Sequence, residues 1–312
     1  MSPYWGANFF EFFFLFFTRL FHSVWSQPAT DEIQIGVLCM TAISCGLIGP
    51  FLVLRKMTMF ANSLSHTVLL GIAGTIFFFG KETPFDLTHL LVGALLAAFL
   101  TALLTEGLIK GFRLQEDASI GLVFTSLFAL GIVFVTLFTK DLHLGLESVV
   151  GNVDALKLSD FRASTLLALL NLSLITLFYR QFQIGSFDRG LAKTLSSCSS
   201  LFHYLLLFLT SVTCIGAFRA IGVILVLAFL VGPYLTARLF FHRLKPLLVA
   251  SVLLGCLASL LGVAFSRHLL TTFGLPLSTG GLVVCFIGLL YVLSYIVKKI
   301  YRSGMLLTKA HD

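Results

Sequence analysis

Residues 247–265 read LLVASVLLGCLASLLGVAF, a stretch without a single charged side chain. A helix that crosses a lipid bilayer needs about 20 mostly apolar residues, so this stretch is long enough to span. A transmembrane β-strand would alternate apolar and polar residues over about 10 positions, and this stretch does not alternate. The stretch therefore predicts a membrane-spanning α-helix.

The rest of the chain has the same character. Its 312 residues are 58% hydrophobic and 11% charged, whereas about a quarter of the residues in soluble domains are charged. The predicted spans are Ile33–Leu54, Thr58–Phe79, Thr88–Ile109, Ile120–Phe138, Phe161–Phe178, Leu201–Phe218, Ala220–Leu239, Leu247–Ser266 and Ser278–Val297. We therefore predict an all-α polytopic membrane protein with about nine transmembrane helices.

The N-terminal stretch from Asn8 to Trp25 is dominated by phenylalanine. It fits an interfacial helix or an extra span, and it lacks the basic start and the cleavage site of a signal peptide. We predict an additional membrane-associated helix here. The predicted organisation is an aromatic segment at 1–30, a transmembrane domain at 31–300 and a tail at 301–312.

Basic residues indicate the orientation of the chain. Placing the C-terminus in the cytoplasm puts 14 of the 21 Lys and Arg residues on the cytoplasmic side. The Lys/Arg bias of short loops sets orientation in membranes. We therefore predict a multi-pass protein of the cell (inner) membrane with a cytoplasmic C-terminus.

Polar side chains follow one face of the second predicted span. Thr58, Asn62, Ser65 and His66 are three or four residues apart, which places them on the same side of a helix. Such a stripe is expected to face the protein interior rather than lipid. Imidazole, amide and hydroxyl groups could form a transient site for a transition-metal ion. The alternative is that they hydrogen-bond to neighbouring helices.

The predicted cytoplasmic loop at 180–200 contains a short amphipathic stretch. Asp188 is placed to cap its N-terminus, and Leu191, Ala192 and Leu195 lie on one side. A small apolar face of this kind suits docking of a motor subunit. A plain surface helix fits equally well.

Motifs of an enzyme or an autonomous ATPase are absent from the sequence. It has no GxxxxGK[ST], HExxH or GxSxG pattern. The predicted spans contain almost no acidic residues, which a gradient-driven carrier would need; Glu106, near the inner end of its span, is predicted to be a solvated helix-end charge. A partner that hydrolyses nucleotide is the favoured energy source. The alternative is a membrane scaffold that transports nothing.

Several motifs occur in the order of a known family. They are residues 52–73 (LVLRKMTMFANSLSHTVLLGIA), Glu116–Gly121, Gly151–Val153 with Leu156, Phe187-Asp188 with Ala192-Lys193 and Leu195, Arg219–Val223, and Pro233 with Thr236–Arg238. Over about residues 33–300 the chain resembles the membrane permeases of ABC-type importers for manganese, zinc and iron.

The resemblance implies a metal path at His66, Asn62 and Ser65. His66 takes the place of the family's membrane histidine, and Asn62 that of an acidic residue one helical turn earlier. The Asp-to-Asn change removes a charge that would help to bind a divalent cation. One hypothesis is that the chain pairs with a second, non-identical permease that retains the acid. Another is that Asn62 and Ser65 suffice for weak transit.

The resemblance also implies the partners. An extracytoplasmic binding protein would deliver the metal, a second permease would complete the path as a homodimer or heterodimer, and a cytoplasmic ABC ATPase would supply ATP hydrolysis. The ATPase would contact Phe187, Asp188, Leu191, Ala192 and Leu195. No stably bound cofactor and no nucleic-acid partner are expected, and the only other partner is membrane lipid. The runner-up is a permease for a chelated metal or a cobalamin-like cofactor.

Overall fold

The computed structural model describes Tyr4 and residues 9–21, 29–79, 87–138, 152–187, 190, 194 and 199–308. Apart from a short 3-10 helix at Val153–Ala155, the regular elements of these residues are α-helices. They are α1 (Phe9–Phe21), α2 (Thr30–Leu54), α3 (Thr58–Phe79), α4 (Leu87–Phe112), α5 (Glu116–Phe138), α6 (Leu158–Leu177), α7 (Tyr179–Phe187), α8 (Ser199–Ile221), α9 (Val223–Arg238), α10 (Leu244–Phe273) and α11 (Thr279–Thr308). The predicted all-α class is confirmed.

Seven of the described helices are long and apolar enough to cross a membrane. They are α2, α4, α5, α6, α8, α10 and α11, whereas α9 is apolar but shorter. Each of the nine predicted segments lies mainly within one helix, but the count of nine spans is not confirmed. Helix α11 continues to Thr308, so helix occupies most of the predicted tail. The protein is a multi-pass membrane protein.

A single residue, Gly222, separates α8 from α9. Its φ of 84° lies in the left-handed region, which glycine adopts without the steric cost of a Cβ. Its N–H donates to the carbonyl of Phe218 at 2.8 Å. Two apolar helices are thus separated by one glycine in the left-handed conformation rather than by a polar loop.

The chain divides into two compact units. The first comprises residues 1–50, 152–169 and 228–312. Here α10 packs along α11, and the rings of Phe265 and Phe286 lie 5.5 Å apart. Gly262 approaches Val283 so closely that a side chain at Gly262 would overlap it. Small residues allow this close helix packing in membranes.

Helix α1 packs against α10 in the first unit. Phe12 is buried, whereas Phe10 is 83% exposed and Phe14 is 73% exposed. The aromatic residues of α1 therefore divide between a face that contacts protein and a face that contacts the surroundings.

Glu32, at the start of α2, holds the N-terminal region in place. The Tyr4 hydroxyl donates to Oε1 of Glu32 at 2.8 Å, and Nε of Arg19 donates to the same oxygen at 2.6 Å. Burial, together with the hydrogen bond to Glu32, raises the pKa of Tyr4. The phenol therefore keeps its proton and can continue to donate it.

The second unit comprises residues 51–151 and 170–227. Helix α3 contacts α4 and α5, and α8 packs on both α3 and α4. At the α3–α4 contact, a Cβ on Gly71 would overlap the backbone carbonyl of Gly93. Asn171 of α6 donates to Oγ1 of Thr213 on α8 at 2.8 Å. Helix α3, which carries the predicted polar stripe, is thus in contact with three other helices of its unit.

Candidate functional site

The structure places Thr58, Asn62, Ser65 and His66 along α3, in the second unit. Ser65 is buried, and the other three side chains are half-buried. Oγ of Ser65 donates to the backbone carbonyl of Asn62 at 2.6 Å. The hydroxyl proton is therefore used within the helix, while the oxygen keeps lone pairs that can accept.

The imidazole of His66 packs against two aromatic rings of α5. The ring centroids lie 5.0 Å from Phe124 and 5.3 Å from Phe128. A neutral imidazole nitrogen is a good ligand for first-row transition metals, and the amide oxygen of Asn62 is a harder one. Among the described residues, no group of three or more His, Cys, Asp or Glu side chains gathers around a common point.

The predicted ATPase contacts lie only partly within the described residues. Phe187 ends α7 and is 62% exposed. Phe182 is buried in the same helix, with its ring 5.8 Å from Phe51 and 6.3 Å from Phe202. Helix α7 is thus fixed to its unit by one aromatic side chain and exposes another. Asp188, Leu191, Ala192 and Leu195 lie outside the described residues.

A charged cluster around His203 was missed by the sequence reasoning. Nε2 of His203 lies 2.5 Å from Oε1 of Glu106, and Nζ of Lys110 lies 2.8 Å from Oε2 of Glu106. Nη1 of Arg55 donates to Nδ1 of His203 at 2.9 Å, and Nζ of Lys110 lies 2.6 Å from the Tyr204 hydroxyl.

The prediction that Glu106 is a solvated helix-end charge is wrong. Glu106 is 9% exposed, because His203 on α8 covers it. The spacing of Glu106 and Lys110, four residues apart on one helix, was a signal for part of this cluster. Its connection to Arg55 and His203 left no local pattern in the sequence.

A second polar region lines a cavity of about 470 Å³ in the first unit. Oδ1 of Asp154 accepts hydrogen bonds from Nε2 of Gln34 at 3.0 Å and from Oγ1 of Thr279 at 2.5 Å. On the same cavity, Nε of Arg267 donates to Oδ1 of Asp31 at 2.5 Å. The sequence motif that includes Asn152 and Val153 was the only sign of this region.

Asn152 shapes that region locally. Its side-chain oxygen accepts from the backbone N–H of Asp154 at 3.0 Å and so caps the 3-10 helix. The cap holds Asp154 where α2 and the start of α11 can both donate to it.

Long apolar helices that bury ion pairs and polar side chains among themselves are typical of a polytopic membrane protein. The chain belongs to the ABC 3 transport family, whose model matches residues 33–298. This match confirms the predicted resemblance to ABC permeases, which are transport subunits and not themselves enzymes. Helix α1 lies before the matched residues.

Curated relatives carry names of metal transport systems. The chain is 38% identical over 294 residues to the "Probable metal transport system membrane protein" of Chlamydia muridarum, covering 94% of this chain and 93% of the relative. It is 37% identical over 250 residues to the manganese transport system membrane protein MntD of Bacillus subtilis, covering 76% and 83%. It is 30% identical over 275 residues to the zinc transport system membrane protein TroD of Treponema pallidum, covering 83% and 72%.

A solved structure shares the fold. The chain is similar to PsaBC from Streptococcus pneumoniae, solved in complex with Fab, with a TM-score of 0.71 and 26% sequence identity. The similarity covers 91% of this chain and 95% of that one. The helical arrangement is thus one that a solved relative also adopts.

Proposed function

We propose that this chain forms the membrane path for a divalent transition metal in an ABC-type importer. The observation that carries the proposal is the pair of His66 and Asn62 on one half-buried face of α3. The names of the relatives support manganese or zinc as the cargo rather than iron. Ser65 adds an oxygen that keeps acceptor capacity at the same level of the helix.

A second permease completes this path. His66 and Asn62 offer two ligands, whereas a closed metal site takes about four or more. A second copy of this chain, or a paralogue with a carboxylate at the level of Asn62, brings the further ligands.

ATP hydrolysis by a cytoplasmic ABC ATPase supplies the energy for transport. This ATPase contacts the segment that follows α7. The exposed ring of Phe187 supports this contact. We assign Asp188, Leu191, Ala192 and Leu195 to the same contact. The Lys/Arg bias of the loops supports a cytoplasmic position for this segment and for the C-terminus. An extracytoplasmic binding protein delivers the metal at the other surface of the membrane.

Helix α1 lies in the membrane interface rather than across the bilayer. Its 13 residues extend about 20 Å, less than the roughly 30 Å hydrocarbon core. Phe10 and Phe14 face lipid, while Glu32 secures the helix to α2. The placement can be tested in a Phe10→Trp variant in which Trp5 and Trp25 are replaced by phenylalanine. Lipids brominated near the headgroup should quench the fluorescence of this tryptophan most strongly. Strongest quenching by lipids brominated at the chain ends would contradict this placement.

The metal path is tested by uptake into proteoliposomes that contain the permeases, the ATPase and the binding protein. His66→Ala should abolish uptake of Mn²⁺ and Zn²⁺ while ATP hydrolysis continues. Asn62→Asp should lower the half-saturating metal concentration by about tenfold, because a carboxylate attracts the cation more strongly than an amide.

The matched control is Ser63→Ala. Ser63 is a buried serine of the same helix, and its hydroxyl donates to the carbonyl of Phe60 at 2.8 Å. Normal uptake by His66→Ala would show that the ion does not pass this histidine. Absence of uptake by the unaltered complex, with the chain still bound to its ATPase, would favour the scaffold alternative.

A further inference from the structure

Arg55 connects the turn between α2 and α3 to two other helices of the second unit. The residue is only 6% exposed. Its Nε donates to Oγ of Ser186 on α7 at 3.2 Å, and its Nη1 donates to His203 on α8. A Cβ built on Gly185 would lie 2.8 Å from Nη2 of Arg55. The guanidinium is therefore packed directly against the C-terminal half of α7.

The partners of His203 indicate which ring nitrogen accepts a hydrogen bond and which donates one. A guanidinium can only donate, so Nδ1 of His203 must accept from Arg55 and carries no proton. The ring proton is then on Nε2, which donates to Oε1 of Glu106 at 2.5 Å. His203 thus connects Arg55 to Glu106 on α4 through a continuous line of hydrogen bonds.

Arg55 also stands next to the candidate metal helix. It lies three residues before Thr58, where α3 begins. Lys56 between them has a φ of 60°, so the backbone reverses tightly at this point. A displacement of the Arg55 backbone should therefore also displace the first turn of α3, because the connection between them is short. His66 lies on the same helix.

We propose that Arg55 couples the position of α7 to that of α3, while His203 and Glu106 hold its guanidinium in place; these three residues are the positioning relay. The relay rests on the proposed function, because α7 leads into the segment assigned to the ATPase contact. Buried hydrogen bonds to charged groups favour discrete arrangements, since a small displacement leaves a charge without its partner. Movement of α7 on nucleotide binding is thereby transmitted to α3 and changes the position of His66.

The relay is tested by the number of metal ions transported per ATP hydrolysed in the same proteoliposomes. His203→Gln preserves both bonds, because Oε1 can accept from Arg55 while Nε2 donates to Glu106. His203→Phe keeps a ring of similar size but removes both bonds. The matched control is Ser211→Ala on the same helix, a buried residue whose hydroxyl donates to the carbonyl of Leu207 at 2.9 Å.

We expect His203→Phe to lower the ions transported per ATP by about fivefold or more, while ATP hydrolysis stimulated by the binding protein persists. His203→Gln and Ser211→Ala should retain the ratio of the unaltered complex. An unchanged ratio in a folded His203→Phe complex overturns the relay. Equal losses in the Phe and Gln variants also overturn it, because they indicate a steric role for the imidazole.

Gly185→Ala tests the same relay from α7 if the His203→Phe protein does not fold. The added methyl displaces the guanidinium of Arg55 and should lower the ratio, whereas full coupling in this variant overturns the relay. The proposed function is judged separately, by whether the unaltered complex transports Mn²⁺ or Zn²⁺ at all.

Discussion

Asp31 illustrates how individual charged residues are accommodated in this apolar chain. Its side chain is 1% exposed, whereas that of its partner Arg267 is 21% exposed. Nε of Arg267 donates to Oδ1 of Asp31 at 2.5 Å, and Nη2 contacts the same oxygen. Removing Arg267 and removing Asp31 are therefore not equivalent, because only the arginine side chain has access to water.

Arg267→Met should lower the free energy of unfolding by about 3 kcal/mol, since it leaves the Asp31 carboxylate buried without its cation. Asp31→Asn should lower the free energy of unfolding by less, because the partly exposed guanidinium of Arg267 can be solvated by water. Unfolding in mixed detergent, followed by circular dichroism, measures both values. Arg243→Met changes an exposed arginine at the start of the same helix and is the control. A larger loss for Asp31→Asn than for Arg267→Met would contradict this account.

At the scale of elements, the packing of α3 on α4 depends on small residues. The backbones meet at Gly71 and Gly93, where a Cβ on Gly93 would lie 2.6 Å from the carbonyl oxygen of Gly71. Gly74, one turn further along α3, has nothing within 4 Å of its Cβ position. The two glycines of α3 are thus chemically identical but structurally different.

We expect Gly71→Ala to destabilise the protein by about 1–3 kcal/mol, because the obstructing atoms are backbone and can move only with the helix. Gly74→Ala should be neutral or slightly stabilising, since alanine has the higher helix propensity. Thermal unfolding in detergent compares the two substitutions. Equal melting temperatures for both variants would show that α3 and α4 are further apart than the structure indicates.

At the scale of the whole molecule, the charge distribution predicts how the chain is threaded through the membrane. Lys298 and Lys299 follow the apolar part of α11. The segment between α10 and α11, residues 274–278, has no charged residue. The Lys/Arg bias therefore predicts a cytoplasmic C-terminus and places residues 274–278, by expectation, on the other side.

Green fluorescent protein fused after Asp312 should be fluorescent, and alkaline phosphatase fused at the same position should be inactive. Alkaline phosphatase inserted at residues 274–278 should be active and serves as the opposite-side control. Active phosphatase at the C-terminus would reverse the orientation. It would also exclude residues 180–200 as the cytoplasmic ATPase contact.

The sequence by itself determined the all-α membrane class, the position of each long apolar helix and the shared face of Asn62, Ser65 and His66. These are local properties, because hydropathy and helical periodicity depend on residues within one or two turns of each other. The family resemblance was also readable, because its motifs follow one another along the chain. The ATPase contacts at Asp188, Leu191, Ala192 and Leu195 stay predictions.

Only the tertiary structure decided which distant residues are the partners of the charged side chains. Asp31 and Arg267 are 236 residues apart, and Arg55 and Ser186 are 131 apart, so no local pattern links them. Glu106 was predicted to be solvated because a helix end is usually exposed, but the packing of α8 on α4 covers it. Burial depends on which helices meet, and a charge in an apolar chain is stable only where that packing brings it a partner.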